Sequence, residues 1–533
     1  MPVSAIIPAY RAAAIVGETV KAARRIPQVS EVIVVDDGSD DGTGEAARLA
    51  GADVVMVLPR NAGKGGALAA GVAAAHCDRV LFLDADLSGS AAEAGPLVEA
   101  VGEAAAMAIA VLPKRGGGGG FGLARGLAWA SIRLLAGREV AAPLSGQRAL
   151  SAQLVWHVGL APRFGAETGL TVEVAHLNLP IVEIPLPLEH EPTGRTLSGF
   201  LHRGKQFRDV LRFALLAGYG LGWPALSPAR TAVRMAVWLA ALAVVIALAG
   251  VRSPSAAELV GITAGAGVAA WLPSLWVGAV WLRLRRPNYL GRSLPAGAGL
   301  LFLSVGLPAL WFSPLAREVR APGLIVVGVL GAAGLLDDLL ARRRQARGLR
   351  GHLGSLLRGR LTTGALKAIA GLGAGLAAGA MLAPGRPAMM ALDALLIALS
   401  ANFVNLLDLR PSRAWKGFGV MCAVAIAASP RSIDLLGPVL ALAVVAAPAE
   451  FAGRVMLGDV GANVLGGAAG LGLAIALSPV ERLVAVALLV AVHLVCERVS
   501  LTGVIAGNRA LAWLDRIGTA HLAPFPAPEA VKT

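Results

Sequence analysis

The chain has 533 residues, of which 56% are hydrophobic and only 15% are charged, so one ordinary soluble core is excluded. The net charge is +14, but most of the basic excess falls in short loops between apolar stretches, which indicates membrane topology and not nucleic-acid binding. The three cysteines are scattered, which excludes a disulfide framework. We predict a cytosolic domain over 1–210, an interfacial linker helix over 211–230 and a polytopic membrane domain over 231–533.

The first domain alternates buried strands with helices. Two of the predicted strands end in carboxylates, at DDGS (36–39) and at DAD (84–86). Ser39 or Thr43 is expected to cap the second helix. The alternation predicts an α/β fold with a mostly parallel sheet, whose ligands bind beyond the carboxyl ends of the strands. The predicted strands cover 3–10, 31–39, 54–59 and 79–87, and the predicted helices cover 16–25, 42–50 and 64–75.

Two carboxylates at one strand end carry the chemistry of this domain. Asp84 and Asp86 are separated by a single residue, so they repel each other unless a cation lies near them. Mg²⁺ or Mn²⁺ together with a diphosphate suits such hard oxygen ligands. The glycine-rich segment NAGKGGAL precedes a helix, and its Lys64 adds a positive charge for phosphate. Alone, the DAD segment could be a solvated turn; with the other two segments it predicts a metal and phosphate site.

These motifs resemble the family 2 glycosyltransferases, which have the GT-A fold. The resemblance covers about residues 1–210 and looks closest to polyprenyl-phosphate sugar synthases and glucosyl-phosphoglycerate synthases. It implies that Asp84 and Asp86 bind the metal, with His190 as a further ligand or else an ordinary loop histidine. Glu167 would lie near the acceptor, where a hydroxyl acceptor needs a general base and a lipid phosphate needs none. The nucleotide-sugar would be bound by Pro8, Tyr10, Asp37, Gly38, Ser39, Lys64, Asp84 and Ala85.

This part of the sequence departs from the family pattern at two places. The usual Pro-x-Tyr-Asn-Glu start reads PAYRAAA here, and a glycine-rich segment occupies 114–122. Both departures leave the identity of the base and the sugar open. They do not affect the phosphate and metal residues.

Apolar segments dominate the rest of the chain. An amphipathic helix over 207–223 is expected to lie in the membrane interface. About ten segments then have a length near that needed to cross a membrane. Lys and Arg are concentrated in alternate gaps, which predicts that the N-terminal domain and the C-terminus are both cytosolic. The segments are 231–250, 258–282, 294–312, 322–340, 361–383, 389–408, 415–429, 435–450, 463–478 and 482–500.

Acidic residues end several of these segments at the predicted cytosolic face. An Asp in the middle of a bilayer costs about 2.5–3.5 kcal/mol on insertion scales, so acids within or beside spans usually have a function. The acids lie in the motifs GLLDDLL (334–340), ANFVNLLD (401–408) and MLGDVGANVLGG (456–467), and TTGALK (362–367) adds a lysine. They could instead be boundary residues that face water.

In this order the motifs resemble the polyprenyl-phosphate N-acetylhexosamine-1-phosphate transferases, the superfamily of the phospho-MurNAc-pentapeptide translocase. The resemblance covers about residues 290–500. It implies that Asp337 and Asp338 lie near metal and lipid phosphate, that Asp459 binds Mg²⁺ and that Lys367 faces a phosphate. Asn402, Asn405 and Asp408 would line the nucleotide pocket. The family's usual Gly-x-Asp-Gly after this motif is absent, with Leu409 and Pro411 in place of the first glycine and the second acid.

The leading hypothesis is one membrane protein with two activities in glycolipid assembly. The membrane domain would load a sugar-1-phosphate from a UDP-sugar onto polyprenyl phosphate, and the cytosolic domain would transfer a sugar from a nucleotide-sugar. In a second hypothesis only the glycosyltransferase is active, and the membrane domain is a lipid-binding anchor. A third hypothesis is a transporter. Two observations argue against it: the acids lie at one face, and no inverted repeat is visible in the sequence. The second resemblance makes a homodimer conceivable.

Overall fold

The computed structural model describes residues 2–102, 105–113, 122–189, 197–220, 228–288, 293–340 and 362–517. Among these, residues 2–218 form one compact unit and residues 219–517 form the other. The first unit is an α/β domain and the second is almost entirely helical. The predicted fold class is therefore confirmed for both parts of the chain.

A seven-stranded sheet forms the centre of the first unit, in the order β3-β2-β1-β4-β6-β5-β7. Strand β6 is antiparallel to both of its neighbours, and the other neighbouring pairs are parallel. The strands are β1 Val3–Ala9, β2 Val29–Asp36, β3 Val54–Val57, β4 Arg79–Phe82, β5 Met107–Val111, β6 Arg148–Ser151 and β7 Ile181–Pro185. The helices are α1 Val16–Ala23, α2 Thr43–Leu49, α3 Lys64–Ala74, α4 Gly95–Ala100, α5 Leu123–Ala136, α6 Ala152–Val158, α7 Ala166–His176 and α8 Leu197–Gly218.

The central strands are apolar on both faces because helices cover both sides of a parallel sheet. Strand β1 is buried almost throughout, and Ala5 and Ile7 belong to one core with Val16 and Val20 of α1. Strands β1, β2 and β4 are parallel, so their carboxyl ends meet at one edge. Both carboxylate-rich segments follow strands of this group and therefore lie at that edge.

Two local predictions in this unit differ from the structure. Helix α2 is capped by Gly42 in the left-handed conformation, with no side-chain cap. Thr43 instead accepts a hydrogen bond from the Ala12 amide, at 2.8 Å. The helix predicted to lie in the membrane interface begins earlier, as α8, and buries Val210 and Phe213 within the first unit.

The second unit contains eight helices that are long and apolar enough to cross a membrane, counted among the described residues. Two predicted spans are shorter. The segment 294–312 begins in a strand and continues as the helical stretch Phe302–Trp311. The segment near 415–429 forms a helix of 16 residues, or about 24 Å, which falls short of a hydrocarbon core of about 30 Å.

The elements of the second unit follow in chain order. A two-stranded antiparallel ribbon pairs β8 Arg285–Pro287 with β9 Ser293–Pro295. The helices are α9 Pro228–Arg252, α10 Pro254–Trp276, α11 Leu307–Trp311, α12 Arg317–Leu340, α13 Thr363–Leu382, α14 Pro387–Leu407, α15 Arg413–Ala428, α16 Ile433–Phe451, α17 Gly458–Ala476, α18 Pro479–Cys496, α19 Leu501–Gly507 and α20 Arg509–Arg516.

Small residues let the helices of this unit approach closely. A Cβ atom placed on Gly334 of α12 would lie 2.5 Å from the backbone oxygen of Asp459 in α17. Because lipid tails are as apolar as the side chains, no hydrophobic driving force holds helices together in lipid, and close packing of this kind stabilises their association instead. The contact between α12 and α17 also sets how closely the acidic residues of the two helices approach.

Candidate active sites

The first candidate site lies at the carboxyl edge of the first unit's sheet. Asp36 accepts hydrogen bonds from the amides of Ser39 and Gly44, at 2.9 and 3.0 Å, and so anchors the turn into α2. Asp37 accepts from the amides of Ala62 and Gly63, at 2.6 and 2.8 Å. Burial raises the pKa of Asp37, although these two amides act against the shift. The two acids therefore fix the loops on either side of the edge.

The other predicted nucleotide-binding residues surround the same edge. Pro8 is the last residue but one of β1, and the exposed Tyr10 follows the strand. Gly38 and Ser39 follow β2, and the Ser39 hydroxyl accepts a hydrogen bond from the Arg11 amide at 2.9 Å. Ala85 follows β4, and its carbonyl accepts from the Thr19 hydroxyl at 2.8 Å.

A lysine and two carboxylates meet at the centre of this edge. Lys64 Nζ lies 2.5 Å from Asp84 Oδ1 and 2.7 Å from Glu167 Oε1, and Glu167 is only 6% exposed. Gln147 Nε2 donates to Asp84 Oδ2 at 2.8 Å. Burial alone would lower the pKa of Lys64, but Asp84 and Glu167 outweigh burial and raise it. Lys64 is thus a fixed positive charge shared by two acids from different elements.

Gly146 lies against the ends of the Lys64 and Asp84 side chains. A Cβ atom placed there would collide with Lys64 Nζ and both carboxylate oxygens of Asp84. Gly146 belongs to the segment SGQRAL (145–150). It packs directly against the lysine and carboxylate cluster.

A second cation, Arg148, was not singled out from the sequence. It is 1% exposed and donates hydrogen bonds to the Ser145 carbonyl and the Thr171 hydroxyl, both at 2.8 Å. Burial lowers the pKa of Arg148 to about 10, so the guanidinium remains charged at neutral pH. Gln147 was missed in the same way. The sequence signal that could have identified both residues is that Gln147 and Arg148 are adjacent polar residues at the start of the short strand β6.

The fit of this edge to a divalent cation depends on Asp84 and Asp86. Both are half-buried carboxylates beyond the same strand, and carboxylate oxygens are the ligands that Mg²⁺ and Mn²⁺ prefer. Among the described residues, no group of three or more His, Cys, Asp or Glu side chains forms a metal site. His190, the predicted third ligand, lies outside the described residues. Two protein ligands fit an ion whose remaining ligands come from a diphosphate and water.

The second candidate site brings together acids that are far apart in the sequence. Asp337 and Asp338 end α12, Lys367 lies in the first turns of α13, and Asp459 begins α17. Lys367 Nζ lies 2.5 Å from Asp337 Oδ2 and 3.1 Å from Asp459 Oδ1. Asp338 accepts hydrogen bonds from the amides of Asp459 and Val460, at 3.2 and 3.1 Å. The structure therefore joins all four predicted residues of this site.

Arg286 is a member of this cluster that sequence reasoning missed. Its guanidinium lies 2.9 Å from Asp338 Oδ1 and 3.2 Å from Asp459 Oδ2. In the sequence Arg286 is one of the basic residues between apolar stretches, and the ribbon β8–β9 brings it into the site. Three acids in this cluster are thus balanced by two cations.

The three residues predicted to line a nucleotide pocket are only partly grouped. Asn402 is exposed on α14 and Asn405 is half-buried one turn later. Asp408, directly after the helix, lines a pocket together with Arg410 and Glu450. Asp408 also interacts electrostatically with Asp338 and Asp459, so this pocket adjoins the acidic cluster. Glu450 was not predicted, since it lies near the end of an apolar helix.

Known proteins are similar to part of the first unit. The family described as "Glycosyl transferase family 2" matches residues 4–140. "Uncharacterized glycosyltransferase YaiP" of Escherichia coli (strain K12) is 41% identical over 88 residues, or 16% of this chain and 22% of the relative. An undecaprenyl-phosphate 4-deoxy-4-formamido-L-arabinose transferase of Aeromonas hydrophila is 39% identical over 107 residues, which cover 18% of this chain and 33% of the relative.

A longer match involves a glucosyl-3-phosphoglycerate synthase of Mycolicibacterium paratuberculosis. It is 33% identical over 166 residues, which cover 27% of this chain and 50% of the relative. A crystal structure of glucosyl-3-phosphoglycerate synthase from Mycobacterium tuberculosis with Mg²⁺ and uridine-diphosphate is 29% identical, with a TM-score of 0.35. It covers 40% of this chain and 78% of that chain. The matches to these curated relatives thus span half of their length or less.

The match over 4–140 falls entirely within the α/β unit. In the part of the chain that the structure describes, the helices able to cross a membrane belong to the other unit. Residues 4–140 thus resemble the family 2 glycosyltransferases and are similar to part of a polyprenyl-phosphate sugar transferase, and an all-helical unit with helices able to cross a membrane follows them.

Proposed function

We propose that the first unit transfers a sugar from a nucleotide-sugar, such as a UDP-sugar, to polyprenyl phosphate or a glycolipid. The observation that carries this proposal is the meeting of Lys64, Asp84 and Glu167 at the carboxyl edge of the sheet. A donor diphosphate at this edge would face one fixed cation and the carboxylate pair Asp84 and Asp86. The relative from Aeromonas hydrophila supports a lipid phosphate as acceptor.

In this reaction different residues would act on the donor and on the acceptor. Asp84 and Asp86 would hold Mg²⁺ or Mn²⁺, which supplies positive charge to the leaving diphosphate. Lys64 adds a second charge and fixes Glu167 at the bottom of the site. Glu167 would act as a general base toward a hydroxyl acceptor, whereas a phosphate acceptor is already ionised and needs no base.

We propose a second activity for the helical unit, transfer of a sugar-1-phosphate from a UDP-sugar to polyprenyl phosphate. The specific observation is the convergence of Asp337, Asp338 and Asp459 on Lys367 and Arg286. A phosphate oxygen of the lipid would attack the sugar-linked phosphorus, and the bond to the nucleoside monophosphate would break. Catalysis of this kind depends mainly on positioning and charge neutralisation.

The charges of this cluster suit such a reaction. Lys367 and Arg286 would move from the carboxylates to the two incoming phosphates. Asp459 would hold Mg²⁺, which supplies further positive charge between the two anions. We propose that this face, the N-terminal unit and the C-terminus lie on the cytosolic side of the cell membrane, which the positive-inside pattern of the sequence supports. Both nucleotide-sugar donors would then come from the cytosol.

One assay separates the two activities. The purified full-length chain would be given undecaprenyl phosphate, Mg²⁺ and a panel of UDP-sugars, and the released nucleotide would be identified. Release of UDP indicates glycosyl transfer by the first unit, and release of UMP indicates sugar-phosphate transfer by the second. Asp84→Ala should abolish only UDP release, and Asp459→Asn only UMP release. Glu93→Gln and Glu318→Gln, at exposed positions of the two units, serve as matched controls.

The same assay decides between the competing hypotheses. UDP release without UMP for every donor would make the helical unit a lipid-binding anchor. UMP release that persists in Asp459→Asn would refute the assignment of the second site. Release of neither nucleotide, together with donor-independent lipid or ion flux in proteoliposomes, would favour a transporter.

A further inference from the structure

The short helix α20 is amphipathic, and its apolar side faces away from the protein. At 3.6 residues per turn, Ala510, Trp513 and Leu514 share one side of the helix, and Asp515 lies on the other. Trp513 is 63% exposed and Leu514 is 43% exposed. On the surface of a soluble domain the arrangement is the reverse, because there the apolar side of a helix faces the core.

Polar contacts attach α20 to the beginning of α15. The two carboxylate oxygens of Asp515 accept hydrogen bonds from Arg413, each at 2.7 Å, as a bidentate ion pair. Lys416 Nζ donates to the carbonyls of Leu514 and Asp515, at 2.8 and 3.0 Å. A lysine at the last carbonyls of a helix also opposes the negative end of the helix dipole. The polar side and the carboxyl end of α20 are therefore held against the protein.

The amino end of α20 and the preceding helix are fixed as well. The Asn508 side chain caps α20 by accepting hydrogen bonds from the amides of Ala510 and Leu511, at 3.0 and 3.1 Å. Arg413 also donates to the Thr502 hydroxyl of α19, at 3.1 Å. The hairpin of α19 and α20 thus has a defined orientation, and that orientation turns the apolar side outward.

The place of α20 in the fold indicates what this apolar side contacts. Helix α18 is able to cross a membrane and has an open apolar surface, with Leu488 64% and Leu494 62% exposed, as expected of a helix that faces lipid. Glu497 and Arg498 end this apolar run, and α19 and α20 follow. Helix α15, which holds α20, begins after the turn that ends the apolar helix α14. Helix α20 therefore lies at the level where apolar helices give way to charged residues.

A lipid bilayer has matching chemistry at this level. Tryptophan is enriched at the boundary between headgroups and acyl chains, and amphipathic helices with basic residues lie in the plane of that boundary. Arg509 and Arg516, the first and last residues of α20, are both exposed. Two arginines at the ends of an outward apolar side suit anionic lipid headgroups.

We propose that α20 lies in the membrane interface, with Trp513 among the acyl chains and with Arg509 and Arg516 at anionic headgroups. The ion pair between Arg413 and Asp515 determines which side of the helix faces the lipid. This lipid-binding surface is separate from both proposed activities and does not depend on either of them.

The test places a fluorescent label on one or the other side of α20 in the full-length chain. Cys77→Ser, Cys422→Ala and Cys496→Ala remove the native cysteines, and Ala510→Cys or Ala512→Cys then carries a nitrobenzoxadiazole label. The protein is placed in nanodiscs of phosphatidylcholine and phosphatidylglycerol. A nitroxide on the upper acyl chain of a lipid quenches a label in the interface, whereas aqueous iodide quenches a label in water.

The label on Ala510→Cys should be quenched strongly by the lipid nitroxide and little by iodide, because the apolar side of an interfacial helix lies about 5–10 Å into the boundary. The label on Ala512→Cys lies on the protein side and should respond weakly to both quenchers. Asp515→Asn weakens the ion pair and should reduce the difference between the two positions. Arg48→Gln, at an exposed position of α2, is the control and should leave the difference unchanged.

A second measurement concerns the charge of the headgroup. Nitroxide-labelled phosphatidylglycerol should quench the Ala510→Cys label more than nitroxide-labelled phosphatidylcholine, since each arginine near an anionic surface strengthens binding about fivefold. The double variant Arg509→Gln and Arg516→Gln should lose this preference, and Arg48→Gln should keep it. Equal quenching by the two lipids with both arginines intact would overturn their assignment to headgroups.

Two results would overturn the interfacial position itself. Quenching of the Ala510→Cys label by iodide alone would mean that the apolar side faces water. Shielding from both quenchers would mean that protein covers it, and light scattering would then assign the cover to a second copy or to the chain's own remaining residues. If the cysteine replacements lower the melting temperature, brominated lipids can quench the native tryptophans instead, and equal quenching of the unaltered chain and Trp513→Phe would overturn the inference as well.

Discussion

Replacing Lys64 by methionine tests the charge balance of the first candidate site. Lys64 bridges Asp84 and Glu167 at 2.5 and 2.7 Å, and the three side chains are 17%, 20% and 6% exposed. Removing the cation leaves two buried carboxylates facing each other, which should cost about 3–5 kcal/mol. That cost corresponds to roughly two to four orders of magnitude in the local opening equilibrium.

The pH dependence of this cost has a definite sign. The acids raise the pKa of Lys64 above its unfolded value, so its stabilisation is fully present below that unfolded value of about 10.4. This stabilisation is lost only as the pH rises through the pKa of Lys64 in the folded protein, which is higher still. The destabilisation by Lys64→Met should therefore be nearly constant between about pH 7 and 9.

Hydrogen exchange followed by mass spectrometry measures this effect in the full-length chain, because it reports opening of peptides one by one. Peptides from β4 and α7 should lose protection in Lys64→Met. The double variant with Glu167→Gln should recover part of it, since one of the two opposed charges is gone. Lys21→Met, at an exposed position of α1, is the control. Equal protection in Lys64→Met and Lys21→Met would refute the reasoning.

Three further predictions concern separate features of the chain. Gly146→Ala should lower UDP release at least tenfold in the nucleotide-release assay, since the added methyl group displaces Asp84. UDP binding, measured by calorimetry, should weaken as the pH falls through the raised pKa of Asp37, because its protonated form cannot accept both loop amides, and Asp37→Asn should flatten this dependence. Arg413→Ala should expose segment 509–516 to trypsin, because both bonds to Asp515, each 2.7 Å, are lost.

The sequence was informative where chemistry and periodicity coincide. The strands ending in acids predicted the carboxyl edge of the sheet, since parallel strands bring their ends together. The acids of the helical unit were predicted to meet from their motifs, and Asp338 does accept a hydrogen bond from Asp459, 121 positions away. The roles of these residues in catalysis remain predictions.

Other members of the sites were hidden because their partners are distant in the sequence. Arg286 resembles any loop arginine until the ribbon carries it to Asp338. Glu450 ends an apolar helix, and a boundary acid normally faces water. Arg148 begins a short strand whose antiparallel pairing could not be deduced from the alternation of strands and helices. Eight of the described helices are long enough to cross a membrane where about ten spans are predicted, because apolar length in a sequence does not distinguish a short helix from one that crosses.

The close contact between Gly334 and the backbone of Asp459 has a consequence for how this membrane unit can change over evolution. Two backbones in contact limit how the acids that end α12 and the acid that begins α17 are spaced. A single added methyl group would separate the helices and enlarge any ion-binding gap between them. Mutations in the apolar interior could therefore retune ion affinity while every polar residue stays unchanged.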